Sequence, residues 1–176
     1  MIAVMNKHAT NASEPSFSIS PFAGDQDLKD LRKLLIEYAE ELGGEVGLKQ
    51  IAVELHNLPG AYAPPEGLLL IARRRQVAAG CVALRRLAPD TCEMRRLFVR
   101  SAFRDSGLGR LLGERGLVEA RRLGCRRVVV QVIEHALPAI HLYQALGFQP
   151  CTGYAPESAP GVTFLERPLG ESPSLD

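Results

Sequence analysis

Apolar residues recur along most of this chain with either a helical or a strand period, and the period switches several times. After a polar, non-periodic stretch over 1–16, Phe17 to Phe22 reads as a short strand closed by Pro21. Leu28, Leu31, Leu35, Tyr38 and Leu42 then stand three or four apart. That spacing predicts a helix with one buried face, capped by Asp25 or Asp27 and ended by Gly43-Gly44. A second, weaker helix runs from about Gly47 to Asn57 and stops at Leu58-Pro59-Gly60. Three strand-like runs follow, Gly67 to Arg73, Gln76 to Leu87 and Cys92 to Val99, the first two forming a hairpin. Gly107 to Leu123 returns to helical spacing, with Leu108, Leu111, Leu112, Val118 and Leu123 inward and Gly124 just past its end. Arg127 to Ile133 is a β-branched strand, and Pro138 opens a helix that buries Ala139, Leu142, Tyr143 and Leu146 and stops at Gly147. Phe148 to Thr152 and Val162 to Leu169 close the series as strands. The order β-α-α-β-β-β-α-β-α-β-β predicts an α/β (α+β) fold: a mixed sheet with helices on its faces, formed as one domain over 17–169 between tails at 1–16 and 170–176.

The 176 residues, 46% of them hydrophobic, suit a single sizeable core. The longest apolar run, Leu68 to Ala72, falls well short of the roughly 18–20 residues of a membrane helix. Met1 to Pro15 has one lysine and lacks the apolar core of a secretory leader. Cys81, Cys92, Cys125 and Cys151 form no C-x-x-C pair and have no histidine at zinc-finger spacing. The expectation is therefore neither a disulfide scaffold nor a metal site, and a reducing cytoplasm. Net charge is only +1, but it is unevenly spread. Between Arg73 and Arg127 stand 15 arginines against five acids, and the rest of the chain is acidic. A basic middle in a neutral protein points to a compact anionic ligand rather than nucleic acid, or else to solvated arginine faces.

Three segments carry candidate chemistry. Arg104-Asp105-Ser106-Gly107-Leu108-Gly109 follows a strand and opens a helix, where unpartnered backbone N–H groups and the positive end of the dipole suit a phosphate; an ordinary helix start has the same look. It is not a Walker A loop, since Gly-Lys-Ser/Thr is missing. Nor is it a dinucleotide fingerprint, whose third glycine would stand where Leu112 is. Tyr143 falls on the buried stripe of its helix, so its hydroxyl needs a partner or a cleft. Glu93 stands near the start of an apolar strand whose alternation is broken at Arg95-Arg96, by a bulge or by a wet edge.

In this order and spacing the three segments resemble the GCN5-related N-acetyltransferase (GNAT) superfamily, most sharply from Glu93 to Phe148. Arg104 to Gly109 matches that family's Arg/Gln-x-x-Gly-x-Gly/Ala loop; Leu142-Tyr143 through Leu146-Gly147-Phe148 matches its tyrosine-bearing helix and the following strand; and Glu93 with the Arg-Leu-Phe-Val after it is similar to the bulged fourth strand of bacterial members. The resemblance implies a mostly antiparallel sheet of six to seven strands, with helices on both faces and a splay between the fourth and fifth. It also implies an acetyl-CoA site. Leu97, Phe98 and Val99 would hold the pantetheine arm by their backbone, and Arg104, Asp105, Ser106, Gly107, Leu108, Gly109 and Arg110 the pyrophosphate, with Arg100 or Arg115 nearby. Where many members carry an asparagine after the fifth strand, this chain has Glu134-His135-Ala136-Leu137, and His135 is a substitute, a second base or simply a solvated loop residue.

The implied reaction is attack of a primary amine on a thioester in a ternary complex, with no metal and no covalent enzyme intermediate. An alkylamine, with a pKa near ~10.4, must lose a proton first; Glu93 is the candidate base, through water, and Tyr143 the donor to the leaving sulfur. Residues 1–72 carry ten acids and five bases, which favours a cationic small-molecule or peptide amine, unless those acids simply form wet helix faces. Tyr62, Pro64, Pro65 and Tyr154 are candidate walls of the acceptor mouth. The alternative is a catalytically silent acyl-CoA-binding sensor on the same fold; a monomer or a homodimer fits either reading.

Overall fold

The computed structural model describes residues 17–154 and 161–170. One seven-stranded sheet runs through them in the order β1-β2-β3-β4-β5-β7-β6. Its strands are β1 (Ser18–Pro21), β2 (Gly67–Arg74), β3 (Val77–Ala88), β4 (Thr91–Val99), β5 (Arg127–Ile133), β6 (Gln149–Pro150) and β7 (Val162–Pro168). Every neighbouring pair is antiparallel except β4 with β5. The helices are α1 (Asp25–Glu41), α2 (Glu45–Asn57), α3 (Leu108–Arg122) and α4 (Leu137–Ala145).

Strand alternation divides the interior into two cores, because successive side chains point to opposite faces. Leu70, Ala72, Val82, Leu84, Cys92 and Met94 pack with α3 and α4 on one face. Leu69, Ile71, Cys81, Ala83 and Phe98 pack with Leu31, Leu34, Leu35, Ala39 and Ile51 of α1 and α2 on the other. The expected inward set of α3 needs correcting: Leu111 and Val118 are exposed, and the buried stripe is Leu108, Leu112, Gly113, Gly116, Leu117 and Ala120. A methyl added at Gly113 would stand 2.4 Å from Leu146 Cδ1, and one at Gly116 2.8 Å from Met94 Cε. The helix lies so close to its neighbours that glycines fill its contact face, and a search for branched apolar residues misses that stripe. The α1 cap also differs from expectation. Gly24 is the N-cap residue, without a side-chain cap, while Asp27 accepts from the Ala23 N–H and pairs with Arg73.

The pairing of β4 with β5 is short. Only Thr91, Cys92 and Glu93 face Arg127, Val128 and Val129; beyond them β4 continues to Val99 and β5 to Ile133 without partnering each other. The closed end is tied covalently by a Cys92–Cys125 disulfide with Cα atoms 5.9 Å apart, which corrects the expectation that the cysteines stand alone. The 33-residue separation has no motif to betray it, and only the parallel pairing brings the two thiols together. It also removes the absence of bridges as a ground for inferring a reducing compartment. Closing a loop of that length is worth about 4 kcal/mol in the chain-entropy model. Because Cys81 is fully buried in the native fold, thiols are counted after denaturation: we expect two without reductant, four with it, and a lower thermal midpoint in the reduced form. Four thiols before reduction would show the bond to be absent. Among the described residues, no helix is long and apolar enough to cross a membrane.

Candidate functional site

The gap between β4 and β5 collects the sequence cues from both sides. On one side, the chain leaves β4 through a 3-10 turn (Ser101–Phe103) and enters α3 at Gly107, whose left-handed φ of 80° an L side chain rarely adopts. No side chain caps α3, so its first N–H groups point outward without an intrahelical partner. Ser106 Oγ donates instead to the Phe103 carbonyl at 2.6 Å. A methyl at Gly109 would sit 3.4 Å from Leu142 Cδ2 and 3.9 Å from Val99 Cγ2, ordinary contacts that do not by themselves require glycine. The first turn of α3, the end of β4 and the tyrosine-bearing helix α4 therefore meet at one point.

Tyr143 is only 7% exposed, its ring edge-on to Phe148 with centroids 5.3 Å apart. Its hydroxyl has no partner among the described residues, yet no fully buried polar side-chain atom among them lacks one, so the hydroxyl reaches open space. Burial pushes its ionisation up, and Tyr38, whose ring packs edge-on to Phe98, pushes it further. Tyr38 belongs to α1 on the opposite face of the sheet. It lies on the apolar stripe of α1 just as Tyr143 lies on that of α4.

A bulge shapes β4 beside the gap. Cys81 faces Phe98 and Ala83 faces Arg95, so two β4 residues, Arg96 and Leu97, oppose Val82 alone. Arg96 takes φ 55°, a conformation that costs a residue with a Cβ roughly 1–2 kcal/mol. Glu54 of α2 holds it there through two hydrogen bonds of 2.8 and 2.7 Å, with the guanidinium 5.6 Å over the Tyr38 ring. The bulge turns Arg95 and Arg96 to the α1/α2 side together, which the broken alternation foretold; the clamp from 42 residues away left no local trace. Burial alone would raise the Glu54 ionisation, but the Arg96 hydrogen bond and charge hold it below its ordinary value of 4.5. A depressed carboxylate stabilises the fold above its unfolded value, and that stability is lost as pH falls through the folded one. We expect Glu54→Gln to cost about 3 kcal/mol at neutral pH, because Arg96 is only 11% exposed on its side chain, and to flatten the acid limb of stability below pH 4.5. Urea titrations across pH check both, and an unchanged acid limb would remove Glu54 from the pH dependence.

Glu93 also lies on the α1/α2 side, with its side chain 2% exposed. Arg85 Nε donates to its Oε2 at 2.6 Å and the Tyr154 hydroxyl to its Oε1 at 2.8 Å; the Arg95 guanidinium stands 3.6 Å away. Both carboxylate oxygens are engaged, and Glu93 is walled off from open water. Tyr62 is buried rather than a mouth wall, and burial pushes its hydroxyl up to about 12. Tyr154 does border the site, edge-on to Phe164 with centroids 5.0 Å apart. The rest of the expected acceptor segment, 155–160, lies outside the described residues, as do 1–16 and 171–176 of the expected tails.

The basic middle is largely spoken for. Arg104 donates to both Glu41 oxygens, at 2.6 and 2.5 Å, and to the Val99 carbonyl at 3.0 Å, which turns it toward α1. Arg100 forks onto Glu37, Arg110 pairs with Glu114 and Arg115 with Glu119. The acids of the first third are used in the same way, Asp27 and Asp30 with Arg73 and Glu66 with Arg86. The counted charge imbalance thus resolves into ion pairs, some within α3 and others between α1 and distant segments. His135 is exposed beyond β5. Among the described residues no three His, Cys, Asp or Glu stand together as a metal site.

The Acetyltransferase (GNAT) family matches residues 30–148. An uncharacterized N-acetyltransferase of Schizosaccharomyces pombe is 35% identical over 158 residues, which cover 89% of this chain and 97% of that protein. Among solved structures, a GNAT-family acetyltransferase from Staphylococcus aureus superposes with a TM-score of 0.74 at 19% identity, covering 88% of this chain and 99% of the other. The PaiA N-acetyltransferase from Thermoplasma acidophilum, solved in complex with coenzyme A, gives 0.70 at 15% identity, over 87% and 99%.

Proposed function

Because the chain belongs to the acetyltransferase (GNAT) family and is an acetyl-CoA-dependent N-acetyltransferase, we propose that it moves the acetyl group directly to a primary amine held in the gap between β4 and β5. The observation that carries this reading is the meeting of Gly109, Val99 and Leu142 at the mouth of that gap, beside an uncapped helix start. The residues present fit the donor. A diphosphate accepts from the outward N–H groups of α3, and Gly109 leaves its backbone open to close approach. Leu97, Phe98 and Val99 offer the backbone of a bulged strand edge freed from β5. Arg104 and Arg110 supply positive charge near the helix start once they part from Glu41 and Glu114.

The donor supplies an activated thioester, and this chain's groups manage position and protons. Holding the amine in line contributes more than either proton shuttle. Tyr143, whose ionisation is pushed above that of an ordinary phenol, keeps its proton on oxygen and acts by donating a hydrogen bond to the departing sulfur. Glu93 is the final base. Since it is enclosed, the amine's proton reaches it through the Tyr154 hydroxyl, which accepts one proton as it passes its own to Glu93 Oε1. Calorimetric titration with acetyl-CoA, followed by free-thiol release over a panel of amines, tests the reading. Micromolar binding with thiol release supports it, binding without release on any amine leaves a CoA-binding module, and no binding removes the function from this loop.

A further inference from the structure

The acceptor side of the gap holds an arginine whose hydrogen-bonding capacity is unspent. On the α1/α2 face of the bulge, three guanidinium groups, Arg85, Arg95 and Arg96, share two carboxylates, Glu54 and Glu93. Arg96 is satisfied in bidentate fashion by Glu54, and Arg85 is satisfied by Glu93. Arg95 makes no hydrogen bond among the described residues. Its sole carboxylate neighbour there is Glu93 Oε2 at 3.6 Å, beyond bonding distance and already taken by Arg85. The Arg95 side chain is 28% exposed and lies past the last residue that β5 pairs, so it borders the open part of the gap. It stands between Glu93, which the Tyr154 hydroxyl bonds, and Arg96, which Glu54 of α2 holds, and so lies between α2 and Tyr154. Two acids of α1 and α2 that would otherwise attract a second cation are held in ion pairs, Glu37 by Arg100 and Glu54 by Arg96.

We propose that Arg95 binds a carboxylate of the acceptor, and that the acceptor is a small amino acid carrying its amine and its carboxylate on one molecule. The inference rests on the acetyl-transfer reading and narrows its substrate. A guanidinium presents a planar fork that matches a carboxylate in two parallel hydrogen bonds, and Arg95 has that fork free. The Tyr154 hydroxyl, bonded to Glu93, stands beside it as the acceptor for the amine's proton. An acceptor with both groups satisfies the surplus positive charge and delivers its nitrogen to the proton relay. A polyamine or a lysine side chain brings a second cation to a site that is already net positive.

The test compares the standard amino acids with the amines obtained by removing their carboxyl groups, by free-thiol release from acetyl-CoA, in wild type and in Arg95→Gln and Arg95→Lys. We expect at least one amino acid to exceed its decarboxylated partner by roughly 10²-fold in kcat/KM, the scale of one charge-assisted bidentate contact. Arg95→Gln should raise KM for that amino acid by a similar factor, leave the KM for acetyl-CoA unchanged, cost the decarboxylated amine roughly tenfold less than the amino acid, and be partly rescued by Arg95→Lys. Equal or better turnover of the decarboxylated amines overturns the proposal, as does an equal loss for both acceptors in Arg95→Gln. Acetyl-CoA binding with no release on any amino acid also overturns it while leaving acetyl transfer standing. Absence of acetyl-CoA binding in calorimetry instead fails the reading on which it rests.

Discussion

Gly109→Glu is expected to weaken acetyl-CoA binding by at least about 10³-fold while leaving the protein folded. The two effects have opposite signs because they act through the same feature. A carboxylate in the first turn of α3 interacts favourably with the helix dipole and with N–H groups that no side chain caps, so stability should hold or rise by a few tenths of a kcal/mol. The Cβ it adds meets Leu142 and Val99 only at ordinary contact distances. For a diphosphate the same side chain is a blocked approach and a like charge at the binding surface, together about 4 kcal/mol. Calorimetry and a thermal melt on one preparation read both quantities. Unimpaired binding would place the donor elsewhere, and a lowered melting midpoint would make Gly109 a packing requirement instead.

Tyr143→Phe should slow turnover by roughly 10²–10³-fold with the KM for acetyl-CoA nearly unchanged, the range found for removing one hydrogen-bond donor to developing charge. The ring stays and its edge contact with Phe148 is preserved, so the change isolates the hydroxyl. Because that hydroxyl has no partner among the described residues, its loss strands no other buried group. The raised ionisation of Tyr143 makes a further statement. If the phenol holds its proton throughout, the wild-type pH–rate profile carries no limb attributable to it, and the variant should keep the shape of that profile at a lower rate. A profile that loses a basic limb in Tyr143→Phe would mean that the phenol transfers its proton outright. Unchanged turnover would remove Tyr143 from the chemistry.

The elements that anchor these expectations were legible along the chain. Strand β5 with its Val-Val-Val run, helix α1 with leucines three and four apart, and the turn glycines Gly107, Gly124 and Gly147, all with positive φ, carry local signals strong enough to survive folding. Helix α3 was placed correctly but its face was not, because close packing used Gly113 and Gly116 where the periodic search looked for leucine and valine. Glu93 and Tyr143 were legible as unusual residues, but the Arg85 and Tyr154 bonds that enclose Glu93 were not. The arginine-rich middle was legible as a sum of charges and misleading as a surface, since many of its charges are spent on acids of α1 and α2, of the sheet and of α3 itself.

Local spacing and turn chemistry therefore determined the order of elements and the two-faced sheet, and the resemblance carried by a few motifs determined the family. Tertiary structure alone decided which charge meets which, as in Arg96 with Glu54 across 42 residues, Arg100 with Glu37 across 63, and Tyr154 with Glu93 across 61. It also decided the Cys92–Cys125 bond and the point past Glu93 where β4 parts from β5. The physical reason is range. Backbone propensity and side-chain periodicity act over one or two turns of chain and are written into adjacent residues. An ion pair, a disulfide or an opened strand pair depends on where two distant segments come to lie, and only the packed sheet with its helices sets that distance.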